Sequence, residues 1–231
     1  ERPVLVVDLG CGTGLATRLW AGRADAVIGI EPSEDMLCVA QARTDAPHIR
    51  YRPGYGHDTG LPDGCADIVV ASQAFHWMEP VTTLAEVGRI LRTGGVFAAF
   101  DAAWPITVHP AAEQAELDFM ARAREIEAAM QRAPDAPARA RQWRKSEHLE
   151  RMRASGQFTY VKEIALHTVE AGDADRFIGL TLSQGHVQTL LKNGSSEAEL
   201  GLPAYRAEVR RILGERAWPW YVTYWLRFGI R

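Results

Sequence analysis

The sequence predicts an α/β fold built on a doubly wound, mostly parallel sheet. Over the first hundred residues, short continuous apolar runs alternate with segments of helical spacing. Continuous apolar runs are typical of strands buried on both faces, and strand–helix alternation is typical of parallel crossover units. A glycine-rich turn directly after the first run is the third observation. It predicts a ligand site at the carboxyl edge of the sheet.

Residues 1–102 are predicted to form the core that binds a ligand. Strands are expected at Val4–Val7, Ala26–Ile30, His48–Arg52, Ile68–Ala71 and Val96–Phe100, the third being more polar than the others. Helices are expected at Leu15–Ala21, Glu34–Thr44 and Val81–Leu91. Ser33 or Pro32 starts the second helix, whose first turn is acidic, as a helix dipole favours. The run 93–95 is expected to end the third helix and turn the chain into the next strand.

The rest of the chain is predicted to insert helices around the end of the sheet. Residues 103–157 form a helical insertion, with helices at Pro110–Arg132 and Ala138–Ala154 separated by a proline-rich break at 134–137. The charged run Arg139–Arg153 is expected to be a solvated helix face. Residues 158–231 return to the sheet with strands at Phe158–Val169 and Trp220–Ile230. Between these strands a second helical stretch is interrupted near 185 and 193–194.

Length and composition favour one substantial core in a reducing compartment. The chain has 231 residues, 47% of them apolar, and a net charge of -3, so no basic field would attract nucleic acid or anionic lipid. Cys11, Cys38 and Cys65 lack the number and spacing of a disulfide framework or a zinc site. No membrane-spanning run or signal peptide is visible. We expect a cytoplasmic monomer or homodimer, preceded by residues upstream of Glu1.

The most informative motif is the run 6–14, Val-Val-Asp-Leu-Gly-Cys-Gly-Thr-Gly. Its alternating glycines are Gly10, Gly12 and Gly14. Leu15 stands where a dinucleotide site requires its third glycine. Asp8 would repel a pyrophosphate but suits a ligand with an ammonium or sulfonium group. This run resembles the first motif of the class I S-adenosylmethionine-dependent methyltransferases.

The resemblance implies a seven-stranded Rossmann-like methyltransferase sheet with an antiparallel last strand, helical lid insertions, and S-adenosyl-L-methionine as cofactor. It places Asp8 near the amino group of the methionine portion, with the backbone at Gly10, Cys11 and Gly12 lining that portion. Glu31 ends the second strand about 20 residues past the glycines, where a carboxylate can accept hydrogen bonds from ribose hydroxyls. The alternative is an acid at a helix start. Pro32 and Met36, which follow, complete this part of the predicted site.

The adenine end departs from the family pattern. The segment 54–63 resembles one that usually carries an acidic residue after a small one, and by that register the acidic position is His57, followed by Asp58. Either side chain could accept a hydrogen bond from the adenine amine, and Gly56 could offer a backbone N–H. The alternative is a simple surface turn.

The segment after the fourth strand, Ser72–Met78, lies at the functional edge of the sheet. Its Ala-Phe-His-Trp run resembles a small-molecule subgroup that includes trans-aconitate methyltransferases. This resemblance implies that Gln73 and Ala74 lie beside the cofactor and that His76 and Trp77 lie near the acceptor. The run 91–95, Leu-Arg-Thr-Gly-Gly, resembles a Leu-Arg-Pro-Gly-Gly motif with threonine for proline.

Further acceptor-site candidates follow from position and residue type. Asp101, at the end of the fifth strand, joins His76 as a catalytic candidate, and Trp104 joins Trp77 as a substrate contact. Later polar or aromatic candidates are Gln142, Trp143, His148, His167, Gln184 and His186, of which His148, Gln184 and His186 are the predicted substrate contacts. For each of these, packing or surface exposure is the alternative.

The predicted activity is methyl transfer to a small-molecule O-, N- or C-nucleophile, including a carboxylate or a natural product. Such an enzyme mainly aligns nucleophile, methyl group and sulfur, and it needs a base only when the nucleophile carries a proton. His76, Asp101 or His186 could supply that base, and no grouped metal ligands are visible. The rival functions are a nicotinamide-dependent oxidoreductase and a non-catalytic S-adenosylmethionine-binding module.

Overall fold

The computed structural model describes residues 2–130 and 141–231, which fall into two compact units. The described part of the first unit comprises residues 2–102, 141–166 and 224–231. The second unit comprises residues 103–130 and 167–223. The long strands near the end of the chain begin in one unit and finish in the other.

The sheet has seven strands in the order β3-β2-β1-β4-β5-β7-β6. Their bounds are β1 Leu5–Leu9, β2 Ala26–Glu31, β3 Ile49–Pro53, β4 Ala66–Ser72, β5 Leu91–Ala102, β6 Tyr160–Gly172 and β7 Trp218–Ile230. Strands β1 to β5 pair in parallel, whereas β7 runs antiparallel to β5, with Leu226 opposite Phe100. The predicted doubly wound, mostly parallel sheet with an antiparallel last strand is confirmed.

The helices are α1 Glu34–Ala42, α2 Pro80–Ile90, α3 Pro110–Met130, α4 His148–Ala154, α5 Ala174–Leu182, α6 Gly185–Lys192, α7 Glu197–Leu200 and α8 Leu202–Leu213. In the first unit, apolar residues of the central strands are buried on both faces. Val6 and Val27 belong to one buried cluster, while Val7 and Phe97 belong to another, which α2 and α4 help to cover. This burial explains the continuous apolar runs.

Three local predictions were wrong in the first unit. The expected helix at 15–21 is only a 3-10 turn, Thr17–Trp20, because the Thr17 hydroxyl donates to the buried Asp8 carboxylate at 2.6 Å. Strand β5 begins at Leu91 rather than after Gly95, since this segment is already paired within the sheet. Residues 141–144 are not helical, because the Trp143 N–H donates to the carbonyl of His76 instead. The predicted break at 134–137 lies outside the described residues.

The second unit is mainly helical. Its interior includes the stacked rings of Phe119 on α3 and Tyr205 on α8, with centroids 4.7 Å apart. The predicted helical stretch from 173 to 214 is divided at 184, at 193–196 and at Gly201. Asp173 caps α5, and Ser196 forms a capping box at α7. No helix in the two described ranges combines the length and apolar character needed to cross a membrane.

Candidate active site

The glycine turn after β1 adopts a conformation that side chains rarely allow. Gly10, Gly12 and Gly14 have φ angles of +64°, +54° and +73°. A Cβ atom on Gly10 would lie 2.7 Å from the Cβ of Ala74, so the turns after β1 and β4 approach each other too closely for a side chain. The first and fourth loops of the sheet edge are therefore held together at this point.

Tyr51 of β3 packs against the glycine turn. A Cβ on Gly14 would collide with the Tyr51 hydroxyl, and a Cβ on Gly29 would lie 2.7 Å from the same ring. The ring thus occupies the space that these two glycines leave open. Leu15 itself is 73% exposed, so no close helix–strand packing requires a glycine there.

Asp8 is a buried carboxylate with one unsatisfied oxygen. Its Oδ2 accepts the hydrogen bond from Thr17, whereas Oδ1 has no hydrogen-bond partner among the described residues. Burial raises its pKa to about 7; the Thr17 bond opposes this shift, and the Glu31 charge adds to it. Because an unpaired buried carboxylate oxygen is costly, this arrangement suits a ligand that brings its own cationic group.

Glu31 joins the glycine turn to the start of α1. Its Oε2 accepts from the Gly12 N–H at 3.0 Å, and its Oε1 accepts from the Ser33 N–H at 3.1 Å. Each carboxylate oxygen has a further lone pair, so ribose hydroxyls can donate to the same group. The sulfur of Met36 faces the turn, 3.9 Å from where a Cβ of Gly12 would lie, and Pro32 links Glu31 to Ser33. The carboxylates of Asp8 and Glu31 and the open glycine turn between them therefore fit S-adenosylmethionine.

The predicted adenine segment is a tight turn that lies beside the end of β2 and the segment after β4. Tyr55 and Asp58 exchange backbone hydrogen bonds of 3.3 and 3.1 Å, which leaves Gly56 and His57 at the tip. Gly56 is buried, and a Cβ there would lie 2.7 Å from the sulfur of Met78. His57 and Asp58 are exposed, and the His57 ring stacks on Tyr55.

A buried glutamate on α2 holds this turn in place. Glu86 Oε1 accepts from both the N–H and the hydroxyl of Thr59, at 2.9 and 2.5 Å. Arg89 donates to Glu86 and to the carbonyl of Leu61. Burial tends to raise the Glu86 pKa, but the hydrogen bonds from Arg89 and Thr59 outweigh it and lower the pKa to about 2. Sequence reasoning missed this clamp.

The second half of the site lies at the ends of β4 and β5. Gln73 has a φ of +51° and donates its backbone N–H to the carbonyl of Phe100, which joins the two strand ends. His76 follows in a 3-10 turn, and its Nδ1 lies 3.5 Å from Oδ1 of Asp101. The two predicted catalytic side chains are therefore neighbours.

Asp101 is surrounded by positive charge. The ammonium of Lys145 lies 3.0 Å from its Oδ1, and the guanidinium of Arg227 lies 3.2 Å from its Oδ2. Arg227 also donates to Glu163 at 2.6 Å. Burial favours the protonated acid, but the contact with His76 and the Lys145 charge outweigh it, so the Asp101 pKa is lowered. Asp101 is thus held as a carboxylate.

Lys145 and Arg227 are further residues of the candidate site that sequence reasoning missed. Lys145 was expected on a solvated helix face, yet its Nζ donates to Oε1 of Gln73 at 2.8 Å. Arg227 is buried in the last strand, where a charged residue within an alternating apolar pattern was the available signal. Nothing in the local pattern around Lys145 marks it.

The predicted acceptor contacts are distributed over both units. Trp77 is 47% exposed, with its ring 5.3 Å from that of His76. His148 is fully buried against Phe75, and burial lowers its pKa to about 4, which favours a packing role. The remaining three, Trp104, Gln184 and His186, belong to the second unit, where Gln184 donates to the buried Glu116 at 3.1 Å. Within the described ranges, no three acidic, histidine or cysteine side chains group as a metal site.

Comparison with known proteins gives a consistent family. Residues 7–99 match the model of a methyltransferase domain. The same region is 37% identical over 90 residues to the uncharacterised methyltransferase Mb3374 of Mycobacterium bovis, covering 39% of this chain and 36% of that protein. It is also 37% identical over 92 residues to a malonyl-[acyl-carrier protein] O-methyltransferase of Serratia marcescens, covering 39% and 35%. The matched region thus spans about a third of the length of these relatives.

A solved structure extends the likeness to the whole fold. A protein from Anaeromyxobacter dehalogenans, described as a candidate type II methyltransferase, superposes with a TM-score of 0.65 at 24% identity. The superposition covers 98% of this chain and 89% of that one. At this identity the likeness supports the fold.

Proposed function

We propose that residues 7–99, which match the model of a methyltransferase domain, form a class I S-adenosylmethionine-dependent methyltransferase domain, and that the protein transfers a methyl group from S-adenosylmethionine to a small-molecule acceptor. The observation that carries the proposal is the buried, unpaired Oδ1 of Asp8 beside the glycine turn. A dinucleotide would set a phosphate against this carboxylate, whereas S-adenosylmethionine presents an ammonium group. The nicotinamide rival is therefore disfavoured.

Four segments, at the ends of β1, β2, β3 and β4, share the binding of the cofactor. Asp8 receives the ammonium group, and the backbone at Gly10, Cys11 and Gly12 lines the amino-acid portion. Glu31 accepts from the ribose hydroxyls, with Pro32 and Met36 beside it. The turn of Gly56, His57 and Asp58 takes the adenine, and Gln73 and Ala74 adjoin the sulfonium. When bound, the cofactor supplies a methyl group on a sulfonium whose leaving group is a neutral thioether.

The acceptor is placed at the ends of β4 and β5. Asp101 orients His76, whose other ring nitrogen hydrogen-bonds the acceptor and takes its proton when the nucleophile carries one. Because Asp101 is held ionised by its cationic neighbours, His76 is the proton acceptor of the pair. Trp77 excludes water from this edge, which lets alignment lower the barrier.

The acceptor class is drawn from the relatives and the remaining predicted contacts. A relative whose name specifies O-methylation of a malonyl carrier supports an oxygen nucleophile. The resemblance of the run 74–77 to trans-aconitate methyltransferases points the same way and stays a prediction. Trp104, Gln184 and His186 stay predicted acceptor contacts, while His148 is assigned to packing.

Binding and turnover test the proposal separately. Isothermal titration calorimetry should show that S-adenosylhomocysteine binds and that NAD does not, with Glu31→Gln weakening the affinity about tenfold through loss of ribose hydrogen bonds. Release of S-adenosylhomocysteine with a panel of alcohols, phenols, amines and carboxylates would exclude a purely binding role. His76→Gln should lower kcat about a hundredfold for acceptors with a titrating nucleophile, without changing cofactor affinity.

Two outcomes would contradict this reading. Tight NAD binding without binding of S-adenosylhomocysteine would place the protein among the oxidoreductases. Binding of S-adenosylhomocysteine with no turnover of any acceptor class would make it a binding module.

A further inference from the structure

We propose that Lys145 is the acceptor-binding cation of this site and that the acceptor is a carboxylate, methylated on oxygen. The inference rests on the proposed methyltransferase function and names its substrate class. Lys145 bridges the ends of two neighbouring strands. Lys145 Nζ lies 2.8 Å from the side-chain oxygen of Gln73, which follows β4, and 3.0 Å from Oδ1 of Asp101, near the end of β5.

Contacts within the protein hold Lys145 in position but leave one of its hydrogen-bond donors available. An ammonium group has three donors, and the described contacts, with Gln73 and Asp101, engage two of them. The side chain keeps 35% of its surface accessible, in contrast to Arg227, which keeps 6%. A third N–H is therefore available to an incoming oxygen, beside the residues predicted to adjoin the sulfonium.

The balance of charge at this edge favours an anion. Asp101 and Glu163 are matched by Arg227 and Lys145, so the pair of acids leaves no net negative charge. Besides Lys145, the segment 141–153 carries four cationic side chains and two carboxylates. Its Glu147 and Glu150 pair with Arg151 and Arg153. Arg141 lies over the ring of Trp143, whose N–H donates to the carbonyl of His76. The excess positive charge is thus fixed next to the acceptor end.

A carboxylate also balances the reaction without a proton step. One carboxylate oxygen forms the new O–CH3 bond as the S–CH3 bond breaks, and the electron pair of that bond returns to sulfur. The products are a methyl ester and S-adenosylhomocysteine. Because the acceptor carboxylate is already ionised, no residue needs to remove a proton from it, and the available N–H of Lys145 hydrogen-bonds one of its oxygens.

This role predicts which kinetic constant changes. Negative charge on the acceptor disappears as the ester forms, so a nearby cation stabilises the bound carboxylate more than the transition state. Loss of the Lys145 charge should therefore raise KM about ten- to a hundredfold and leave kcat unchanged or higher. A merely structural lysine would lower kcat, or protein stability, without this split.

The experiment uses the full chain and measures S-adenosylhomocysteine release. The probes are aliphatic, aromatic and tricarboxylic acids, including trans-aconitate, each paired with its carboxamide. We expect turnover of carboxylates but not of carboxamides. Lys145→Gln, which can still donate to Gln73, should show the KM increase, and Lys145→Arg should largely restore KM. Quenching of tryptophan fluorescence by the same acids in the S-adenosylhomocysteine-bound protein gives a binding readout independent of turnover.

Arg144→Gln is the matched control, because Arg144 is a neighbouring cation with 84% of its side chain exposed. Its KM should stay within about twofold of the wild type, since exposed charges are screened. Equal effects of Lys145→Gln and Arg144→Gln, or methylation of amines or phenols while every carboxylate stays inert, would overturn the proposal. A chain that does not bind S-adenosylhomocysteine would instead overturn the proposed function.

Discussion

Asp8 and Asp101 lie at the same edge of one sheet, but their carboxyl groups have opposite electrostatic environments. Both are buried, at the end of β1 and of β5. Asp8 has one hydroxyl donor, an unpaired oxygen and a pKa raised to about 7 by burial. Asp101 contacts two cations and a histidine, and its pKa is lowered against the effect of burial.

The difference indicates the role of each buried carboxylate, because it shows whether the fold itself supplies the opposite charge. A carboxylate whose charge is already matched has its partners within the fold, so it orients other groups. A carboxylate left without a cation destabilises the free protein and is relieved when a cationic ligand arrives. On this contrast we propose that Asp8 binds the ligand and that Asp101 orients other groups at the acceptor end.

Removing the buried Arg227 guanidinium, which pairs with Asp101, should have the largest effect on stability. Arg227→Met leaves Asp101 and Glu163 without their shared buried partner, and should lower the free energy of unfolding by about 3–5 kcal/mol. Because the Asp101 pKa is lowered in the folded state, this contribution is present above its ordinary value of 3.8 and is lost as pH falls through the folded pKa. Urea unfolding at neutral and acid pH measures both.

Arg206→Met is the control for this comparison, because the Arg206–Glu197 pair is partly exposed and should contribute at most about 1 kcal/mol. Similar losses for Arg227→Met and Arg206→Met would mean that Asp101 is not held by its cations, and the contrast with Asp8 would fail.

The unmatched carboxylate should respond in the opposite way. Asp8→Asn removes the charge that receives the ammonium group, so affinity for S-adenosylhomocysteine should fall about a hundredfold in calorimetry. The free variant should be no less stable than the wild type. Asp67→Asn is the control, since Asp67 is also a buried aspartate but accepts from the backbone of Val4 and Leu5. It should lower stability and leave affinity unchanged.

The pH dependence of Asp8 sharpens the same contrast. The folded pKa lies above the ordinary value of 3.8, so the stability it contributes is present at low pH and is lost as pH rises towards about 7. Ligand affinity follows the reverse course, because the ammonium group requires the ionised form, and it should weaken as pH falls below about 7. Both slopes should vanish in Asp8→Asn. A pH-independent affinity in the wild type would show that Asp8 does not contact the ammonium group.

The same contrast explains how far the sequence could predict the site. Asp8 and Glu31 were found because each lies at the end of a strand next to a local motif, and the two strands are neighbours in the sheet. Asp101 was found as a strand end, but its cations come from far along the chain, Arg227 being 126 residues away. Short-range periodicity carries no information on such pairings. It also mistook Lys145 for a solvated residue, since its helical turn differs little in composition from an exposed one.

The smallest predicted effect separates the adenine end from Asp8. Glu86→Gln weakens the clamp on Thr59 and Arg89, so the adenine turn is less well ordered before binding. Affinity for S-adenosylhomocysteine should fall about three- to tenfold. Affinity for methylthioadenosine, which lacks the amino-acid portion, should fall by the same factor, whereas Asp8→Asn should leave it unchanged. Glu79→Gln, at the exposed start of α2, should change neither affinity. If Glu86→Gln affected only S-adenosylhomocysteine, the 56–58 turn would not be the adenine site, because its clamp would then act on the amino-acid end.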